Sequence, residues 1–346
     1  IQDSSSLLHY QVVVSDVLPI FRAQNTYLKA MKAFVYSEYG KPEEVLKLTE
    51  VDKPTPKENE VLIKVKSTTI NDYDWSMISG SPKLYRLLFG LSKPKNAIPG
   101  MELSGIVEAI GSKVQGFRVG DAVYGDISDY GFGTFAEYIA INEKAVVLKP
   151  SNISFEEAAS MPHALMLASQ GLKQIGKNQK VLINGGGGGV GTFAIQLAKQ
   201  YDCEVSGIDS VEKFEMMKSL GYDHVFDYRQ TDFTKSGEQF DFILDCKSKK
   251  SAFAYHKALK AQGKYVSIGG DLSSIFSVLF WGKIISIFSH KSIGLLALRA
   301  NEGLREITES LNPKCQIDGP HNFEDIPKLV QYFGDGNHKG KVVINI

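Results

Sequence analysis

The segment Asn184–Gly191, NGGGGGVG, has the residue types and the spacing that bind a diphosphate. In the pattern G-x-G-x-x-G, the early glycines permit a tight turn and the close approach of a pyrophosphate, and the last lets a helix lie against a sheet. Because backbone N–H groups at a helix N-terminus bind anions, the run predicts a dinucleotide site. The residues assigned to this loop are Gly186, Gly187, Gly188, Gly189, Val190 and Gly191.

The sequence on either side of the run decides between this site and a flexible linker. The residues before it, KVLI, form a short apolar segment typical of a buried strand, and those after it, TFAIQLAK, have apolar residues near helical spacing. Glycine linkers have polar, structureless flanks instead. An acid, Asp209, follows about 20 residues on, at the end of the next predicted strand, as the dinucleotide fingerprint requires.

Asp209 and its neighbours leave the choice between NAD and NADP open. A carboxylate here accepts hydrogen bonds from the ribose hydroxyls of NAD and repels the 2′-phosphate of NADP. Ser210 and Lys213 could both hold that phosphate, although Lys213 is equally consistent with a solvated helix residue. Tyr228, at the tip of the third predicted strand, is equally consistent with a contact to adenosine and with an ordinary half-buried tyrosine.

The elements around these residues predict an α/β protein. Between Met31 and Pro150, short apolar segments are separated by Gly, Pro, Asp and Asn, which indicates a compact, mostly β domain. Ser154 and Glu157 then form a capping box that opens a helix. From there strands and helices alternate, with AFAYHKALKAQG among the predicted helices, which predicts βαβ units and a doubly wound parallel sheet.

Length and composition limit the alternatives. The 346 residues exceed what one hydrophobic core usually supports, so we expect two domains. Basic and acidic residues number 39 each, so no global charge steers the chain towards nucleic acid. Three widely spaced cysteines exclude a disulfide framework and favour a reducing, cytoplasmic compartment. Residues 1–30 lack the basic region of a secretory signal and are expected to form a weakly ordered extension.

The longest apolar stretch is Ser273–Leu298. Gly282, Lys283, His290 and Lys291 interrupt it, so it is not expected to be an integral membrane span. A peripheral membrane contact is one interpretation. We favour the other, in which a buried helix is followed by a strand at a subunit interface.

Several motifs together resemble the medium-chain dehydrogenase/reductase superfamily, in its zinc-independent quinone oxidoreductase-like branch. They include INDYDW, IPGMELSGIVEAIGSKV, FRVGDAVYGD, GTFAEYIAI and the closing HKGKVVI. The resemblance implies a GroES-like substrate domain at residues 31–152, a Rossmann domain at 153–300 that binds NAD or NADP, and a return to the GroES-like domain at 301–346. Members of this branch typically reduce quinones or the C=C bond of enones and enals, generally with NADPH.

The same resemblance bears on zinc. The zinc alcohol dehydrogenases of this superfamily have a cysteine where this chain has Asn71 and a histidine where it has Met101. Neither Asn nor Met is a normal zinc ligand, so no metal is expected. Without a Lewis acid to stabilise an alkoxide, activated double bonds and quinones are favoured over alcohols as substrates, because an enolate can be stabilised by a few hydrogen-bond donors.

The resemblance also implies catalytic and substrate-binding residues. Asn71 matches the family asparagine that lies beside nicotinamide and substrate, and it is expected to steady the substrate oxygen. The Tyr73 phenol is equally consistent with a donor to an enolate oxygen and with a packing residue. Trp75 and Tyr130 are expected to form apolar walls. We interpret His163 as a buried, hydrogen-bonded helix residue rather than as a proton donor.

These residues predict a zinc-independent NAD(P)H-dependent oxidoreductase that transfers hydride to a quinone or to the activated C=C of an α,β-unsaturated carbonyl. The backbone at Ser267 and Gly269 is expected to meet the nicotinamide carboxamide. The alternative is a nucleotide-binding, reductase-like protein with little catalysis, because Lys247 puts a charge near the expected cleft. The strand-like segment SIGLLAL further predicts a homodimer, and a small molecule is the only other partner expected.

Overall fold

The computed structural model describes residues 30–346, apart from the side chain of Leu88. Residues 1–29 of the predicted extension lie outside this range. The strands are β1 (Ala30–Val35), β2 (Lys47–Asp52), β3 (Glu60–Thr69), β4 (Glu102–Ile110), β5 (Ala122–Asp126), β6 (Tyr138–Asn142), β7 (Val147–Leu148), β8 (Lys180–Asn184), β9 (Glu204–Asp209), β10 (His224–Asp227), β11 (Phe240–Asp245), β12 (Leu259–Ser267), β13 (Ser292–Leu295), β14 (Ile317–Asn322) and β15 (Lys341–Asn345).

The α-helices of the same range lie between these strands and on their surfaces. They are α1 (Pro42–Val45), α2 (Asp72–Ser79), α3 (Arg86–Phe89), α4 (Phe155–Ser160), α5 (Pro162–Gly171), α6 (Gly189–Lys199), α7 (Phe214–Ser219), α8 (Ala252–Ala258), α9 (Leu272–Ser277), α10 (Lys283–Phe288), α11 (Leu304–Leu311) and α12 (Ile326–Gly334). A π-helical segment, Val278–Gly282, joins α9 to α10.

The first large sheet has the order β14-β15-β3-β4-β5-β7, with β6 paired to β3 off this path. Strand β3 is central because Val61, Ile63 and Val65 are buried on one face of the sheet. The last strand, β15, runs antiparallel to β3, with Val343 opposite Thr69. Residues after the second sheet therefore complete the first one.

The second sheet is parallel throughout, with the order β10-β9-β8-β11-β12-β13. In chain order this is 3-2-1-4-5-6, the doubly wound arrangement in which the strand order reverses between the first and the fourth strand. Val181, Leu182 and Ile183 of β8 are fully buried, as expected for a strand covered on both faces. The predicted fold class, a mostly β domain plus a doubly wound parallel sheet, is confirmed.

Two local predictions can be compared with the structure. The capping box is present: the Glu157 backbone N–H donates to Ser154 Oγ (3.1 Å), and the Ser154 N–H donates to Glu157 Oε2 (2.8 Å). The predicted helix AFAYHKALKAQG, by contrast, ends at Ala258. Leu259 is fully buried and pairs with Phe240 of β11, so sheet pairing outweighs helix propensity over the following residues.

The prediction of a buried helix within Ser273–Leu298 was wrong. The helical residues Leu272–Phe288 lie on the surface of the second domain, where Phe280 is 63% exposed and Phe288 is 86% exposed. The strand that follows, β13, is an edge strand of the parallel sheet. Among the described helices, none combines the length and the apolar character needed to cross a bilayer.

Candidate active site

The glycine run lies at the point where the order of the parallel sheet reverses. Strand β8 ends at Asn184, and α6 begins at Gly189 with Gly188 as its N-cap. Gly185, which the sequence pattern did not include, has a φ of +91°, a conformation that favours glycine. A Cβ on Gly191 would lie 2.4 Å from the Gly185 carbonyl oxygen, so the turn and the helix are in direct backbone contact.

The mouth of this turn has the room and the polar groups that a diphosphate requires. A Cβ on Gly188 would meet nothing closer than Gly185 O at 3.5 Å and His338 Nε2 at 4.0 Å. His338 is buried, stacks on Phe333 and leaves its Nδ1 without a hydrogen-bond partner. Burial and the positive charges of Lys213 and Lys247 lower the pKa of His338 to about 4, so its ring is neutral near pH 7. The residues fit a dinucleotide.

Asp209 holds the glycine turn in place. Its Oδ2 accepts a hydrogen bond from the Gly187 N–H (2.9 Å), and its Oδ1 accepts one from the Ser210 N–H (2.9 Å). Lys213 Nζ lies 3.2 Å from the same carboxylate, and both side chains are largely buried. Tyr228 lies next to Asp209, because its backbone N–H donates a hydrogen bond to the Asp209 carbonyl, and its side chain is 54% exposed. The predicted group Asp209, Ser210, Lys213 and Tyr228 is therefore brought together.

The other predicted coenzyme residues lie at the ends of β11 and β12. Ser267 is fully buried, and its Oγ lies 2.8 Å from Ser248 Oγ, so this side chain is not available to a ligand. The Gly269 carbonyl accepts the Ser248 N–H at 3.0 Å. Asp245, at the end of β11, accepts hydrogen bonds from Asn184 Nδ2 (2.7 Å) and from the Tyr265 hydroxyl (2.7 Å). This polar network fixes the strand ends around the cleft.

A buried polar cluster lies on the first-domain side of the cleft, centred on the Glu102 carboxylate. Lys341 Nζ lies 2.5 Å from Glu102 Oε2, and Thr69 Oγ1 donates to the same oxygen. The other carboxylate oxygen accepts the His163 backbone N–H at 2.6 Å. Lys341 also connects the domains, because a Cβ on Gly189 would lie 2.6 Å from Lys341 Cδ.

Asn71 belongs to this cluster, and its side chain is fully engaged. Its Nδ2 donates to Glu102 Oε2 (2.7 Å) and to Thr69 Oγ1 (3.3 Å), and its Oδ1 accepts a hydrogen bond from Lys341 Nζ (2.6 Å). The structure therefore leaves no amide N–H for a substrate oxygen and does not support a donor role for Asn71. Its contacts indicate that it positions Lys341 and Glu102.

His163 and Asp126 form a second polar pair, beside Tyr73. His163 Nδ1 lies 2.7 Å from Asp126 Oδ2, and the Tyr73 and His163 ring centroids are 6.1 Å apart, edge to face. Burial favours a lower pKa for His163, but the hydrogen bond and the charge of Asp126 outweigh it, so the pKa stands above the usual 6.5. Burial and the neighbouring Tyr85 raise the pKa of Tyr73, so its phenol stays protonated.

Aromatic rings surround the Tyr73 side chain. Phe89 lies edge-on to Tyr73, with centroids 6.2 Å apart, and Phe132 lies 6.1 Å from Phe89. Neither phenylalanine was predicted. Trp75, which was predicted as a wall, packs on the backbone of Gly334 instead, and Tyr130 is 44% exposed on a nearby turn. Phe89 thus gives Tyr73 an apolar neighbour that the sequence did not suggest.

One ion pair joins the two sides of the cleft, between Lys247 Nζ and Asp72 Oδ1 at 3.2 Å. Lys247 follows β11 and Asp72 opens α2, so the pair links the two domains directly. Met101, at one position that binds zinc in the zinc enzymes, is fully buried. Within residues 30–346, no three His, Cys, Asp or Glu side chains form a group that could ligate a metal.

The chain is similar to known proteins in both sequence and structure. The alcohol dehydrogenase GroES-like domain matches residues 57–151, and the zinc-binding dehydrogenase domain matches residues 189–300. A 2-methylene-furan-3-one reductase of Solanum lycopersicum is 35% identical over 329 residues, which is 91% of this chain and 79% of that one. An NADPH-dependent alkenal/one oxidoreductase of Arabidopsis thaliana is 32% identical, over 91% of this chain and 80% of that one. The quinone oxidoreductase structure from Coxiella burnetii superposes with a TM-score of 0.79 at 27% identity, covering 92% of this chain and all of that one.

Proposed function

Since this chain belongs to the medium-chain dehydrogenase/reductase superfamily, in its quinone oxidoreductase-like branch, we propose that it is a zinc-independent NAD(P)H-dependent reductase of quinones or of the C=C bond of α,β-unsaturated carbonyls. The observation that carries this proposal is the His163–Asp126 pair beside Tyr73, on the same cleft as the glycine turn. The relatives described above reduce substrates of this kind according to their names.

In the proposed reaction, each residue of the cleft has a separate role. A dihydronicotinamide coenzyme, held by the glycine turn and Asp209, would provide the hydride for the reduction. Tyr73 has no hydrogen-bond partner for its hydroxyl among residues 30–346, so its O–H is free to donate to the oxygen on which negative charge develops. The sequence suggested a structural role for His163, but its ring lies beside Tyr73 and its pKa is raised, so we assign it as the donor of the proton that completes the reduction. Phe89 gives the Tyr73 ring an apolar neighbour, and Phe132 packs behind Phe89.

The test of this function is turnover by the purified chain. NADPH and NADH are each offered with a panel of enones, enals and quinones, and simple ketones serve as the comparison. We expect oxidation of the coenzyme with the conjugated substrates and little with simple ketones. Binding of coenzyme without turnover across the whole panel would favour a nucleotide-binding protein instead. Lys247, which motivated that alternative, has its charge paired with Asp72 across the cleft.

NADPH is the coenzyme that the Asp209 region supports better. The Asp209 carboxylate is directed at two backbone N–H groups and is neutralised by Lys213, so it does not present a free negative charge to a 2′-phosphate. We expect Lys213→Ala to raise the Kd for NADPH by about tenfold or more and to change the Kd for NADH little, because a charge-assisted phosphate contact is lost. Lys218→Ala, on the exposed face of α7, is the control. Equal losses for both coenzymes would contradict the assignment.

The role of His163 predicts a dependence of activity on pH. His163 can donate a proton only while its ring is protonated. As the pH rises through its pKa, which lies above 6.5, the ring loses this proton and kcat/KM should fall. Asp126→Asn removes the partner that raises the pKa, so the fall should move to lower pH. His163→Gln should lower kcat by roughly 10²-fold and remove the fall. His224→Gln, an exposed pair with Glu204, should change neither. An unchanged pH profile in Asp126→Asn would refute the role.

Three further properties remain proposals. We infer a homodimer that pairs through β13, whose outer edge has no strand partner among the described residues. We infer a cytoplasmic location from the free thiols Cys203, Cys246 and Cys315. The division of the chain into residues 31–152, 153–300 and 301–346 is supported by the two sheets, since β15 lies in the first sheet after the second has been completed. Sedimentation at micromolar concentration tests the dimer.

A further inference from the structure

The helical segment Leu272–Phe288 has its large apolar residues on the outside. Phe276, Leu279, Phe280 and Ile287 recur at helical spacing and are between 53% and 69% exposed. We call them, together with Trp281 and Phe288, the outer face. An ordinary surface helix directs such residues towards the core, so this orientation requires an explanation.

The inner side of the same segment is built from small residues. Ser274, Val278 and Gly282 are buried, and a Cβ on Gly282 would lie 2.8 Å from the Ile293 carbonyl oxygen. The segment therefore lies close against β13 and has no room to turn its aromatic residues inwards. Its outward orientation is fixed by packing.

Helix α8 extends the outer face. Phe253 is 50% exposed, and its ring centroid lies 5.4 Å from that of Trp281. The helices are also joined by a hydrogen bond from the Ala252 N–H to Ser277 Oγ at 3.0 Å. The aromatic surface thus spans two elements of the second domain and is larger than a scatter of single exposed residues.

The chain segments that form this surface are rich in lysine. Residues 247–291 contain eight lysines and a single acidic residue, Asp271, although the whole chain has a net charge of zero. Lys250 and Lys260 are paired with Asp232 and Asp241. The lysines that are exposed and have no ion pair within residues 30–346 are Lys249, Lys257 and Lys283. Lys257 follows Phe253 by one helical turn, and Lys283 lies between Phe280 and Ile287.

We propose that the outer face binds the surface of an anionic lipid bilayer, with its aromatic residues among the acyl chains and its lysines at the headgroups. Aromatic and aliphatic residues flanked by lysine on a short surface helix are the pattern of interfacial attachment. A two-fold contact with a second copy would bring the same lysines against each other, because such interfaces pair identical patches. The short helices of the segment lie along a membrane surface rather than across it.

Vesicle flotation with the full chain tests this inference. We expect the protein to float with vesicles that contain about 30% phosphatidylserine and not with pure phosphatidylcholine, and to be released by about 0.5 M salt. Phe276→Ser/Phe280→Ser/Ile287→Ser and, separately, Lys249→Gln/Lys257→Gln/Lys283→Gln should each lower the partition coefficient by roughly tenfold or more. Brominated lipid should quench the fluorescence of Trp281 far more than that of Trp75, which is packed on Gly334.

The control variant is Leu48→Ser/Val119→Ser, which removes exposed apolar residues from the first domain and should leave flotation unchanged. Circular dichroism and the thermal midpoint establish that each variant is folded, and turnover of a water-soluble enone should be equal in all of them. No flotation with anionic vesicles at low salt would overturn the inference. So would a triple apolar variant that floats normally, or one that changes only from dimer to monomer in sedimentation, since the outer face would then be a subunit contact.

Discussion

The Gly188→Ala variant should fold normally and fail to bind coenzyme. The added Cβ would meet protein atoms only at 3.5 Å and 4.0 Å, which are ordinary contacts, so the thermal midpoint should stay close to that of the unmodified chain. The same methyl group would occupy the space through which a diphosphate approaches the backbone of the turn. We expect the Kd for NADPH to rise by about 100-fold, equivalent to roughly 3 kcal/mol.

Gly191→Ala is the matched comparison, because the chemical change is identical three residues further on. Its Cβ would lie 2.4 Å from Gly185 O and 2.5 Å from Gly186 Cα, both backbone atoms that cannot move independently. This variant should lose thermal stability as well as coenzyme binding. Calorimetric titration and thermal unfolding of the two variants separate the effects. Unaltered affinity in Gly188→Ala would show that the turn does not hold the diphosphate.

The largest loss of stability is expected from Lys341→Met. Glu102 is completely buried and Lys341 nearly so, and the lysine is the one cation within hydrogen-bond distance of that carboxylate among the described residues. Removing one partner of a buried ion pair leaves an uncompensated charge, which typically costs about 3–5 kcal/mol. Urea unfolding measures this as a lower midpoint with an unchanged slope.

The double variant Glu102→Gln/Lys341→Met distinguishes the buried charge from lost packing. It has no unpaired charge, so it should recover a large part of the stability that Lys341→Met loses. Lys339→Met, two residues earlier and exposed, should be neutral. If the double variant is no more stable than the single one, the ion pair is not the cause of the loss.

The sequence predicted the elements whose signals are local. The glycine turn, the acid at the end of β9 and the capping box at Ser154 each depend on residues close together in the chain, and the structure has all three in place. Alternating strands and helices were sufficient for the parallel sheet, because each βαβ unit is itself local. The extent of α8 was not predictable in this way, since the partner of Leu259 in β11 determines where the helix ends.

The polar clusters of the cleft depend on contacts between distant residues. Asp126 and His163 are 37 residues apart, and Glu102 and Lys341 are 239 apart. A signal existed for Glu102, because a carboxylate within the buried strand MELSGIV requires a partner, but the pattern does not say which cation supplies it. His338 and Lys341 lie in the motif HKGKVVI. This motif contributed to the family resemblance, but it did not indicate what either residue does in the folded protein.

Asn71 shows why a correct motif does not fix a role. The residue lies in the polar cluster of the cleft, where both of its amide hydrogens are taken by Glu102 and Thr69 and its oxygen accepts from Lys341. Which neighbours satisfy a side chain is a property of the folded state.

Strand β15 has a consequence for protein engineering. It inserts between β14 and β3, so the sheet that begins with the early strands is closed by residues that come after the whole coenzyme-binding sheet. Expressing the early part by itself would strip β3 of a neighbour and Glu102 of its counterion. The parallel-sheet domain is therefore inserted into the first domain and is connected to it at two points in the chain. Replacing it with the corresponding domain of a relative requires both connections to be joined. Such a chimera should keep both Gly189 and Lys341, because the aliphatic part of the lysine side chain packs directly against that glycine.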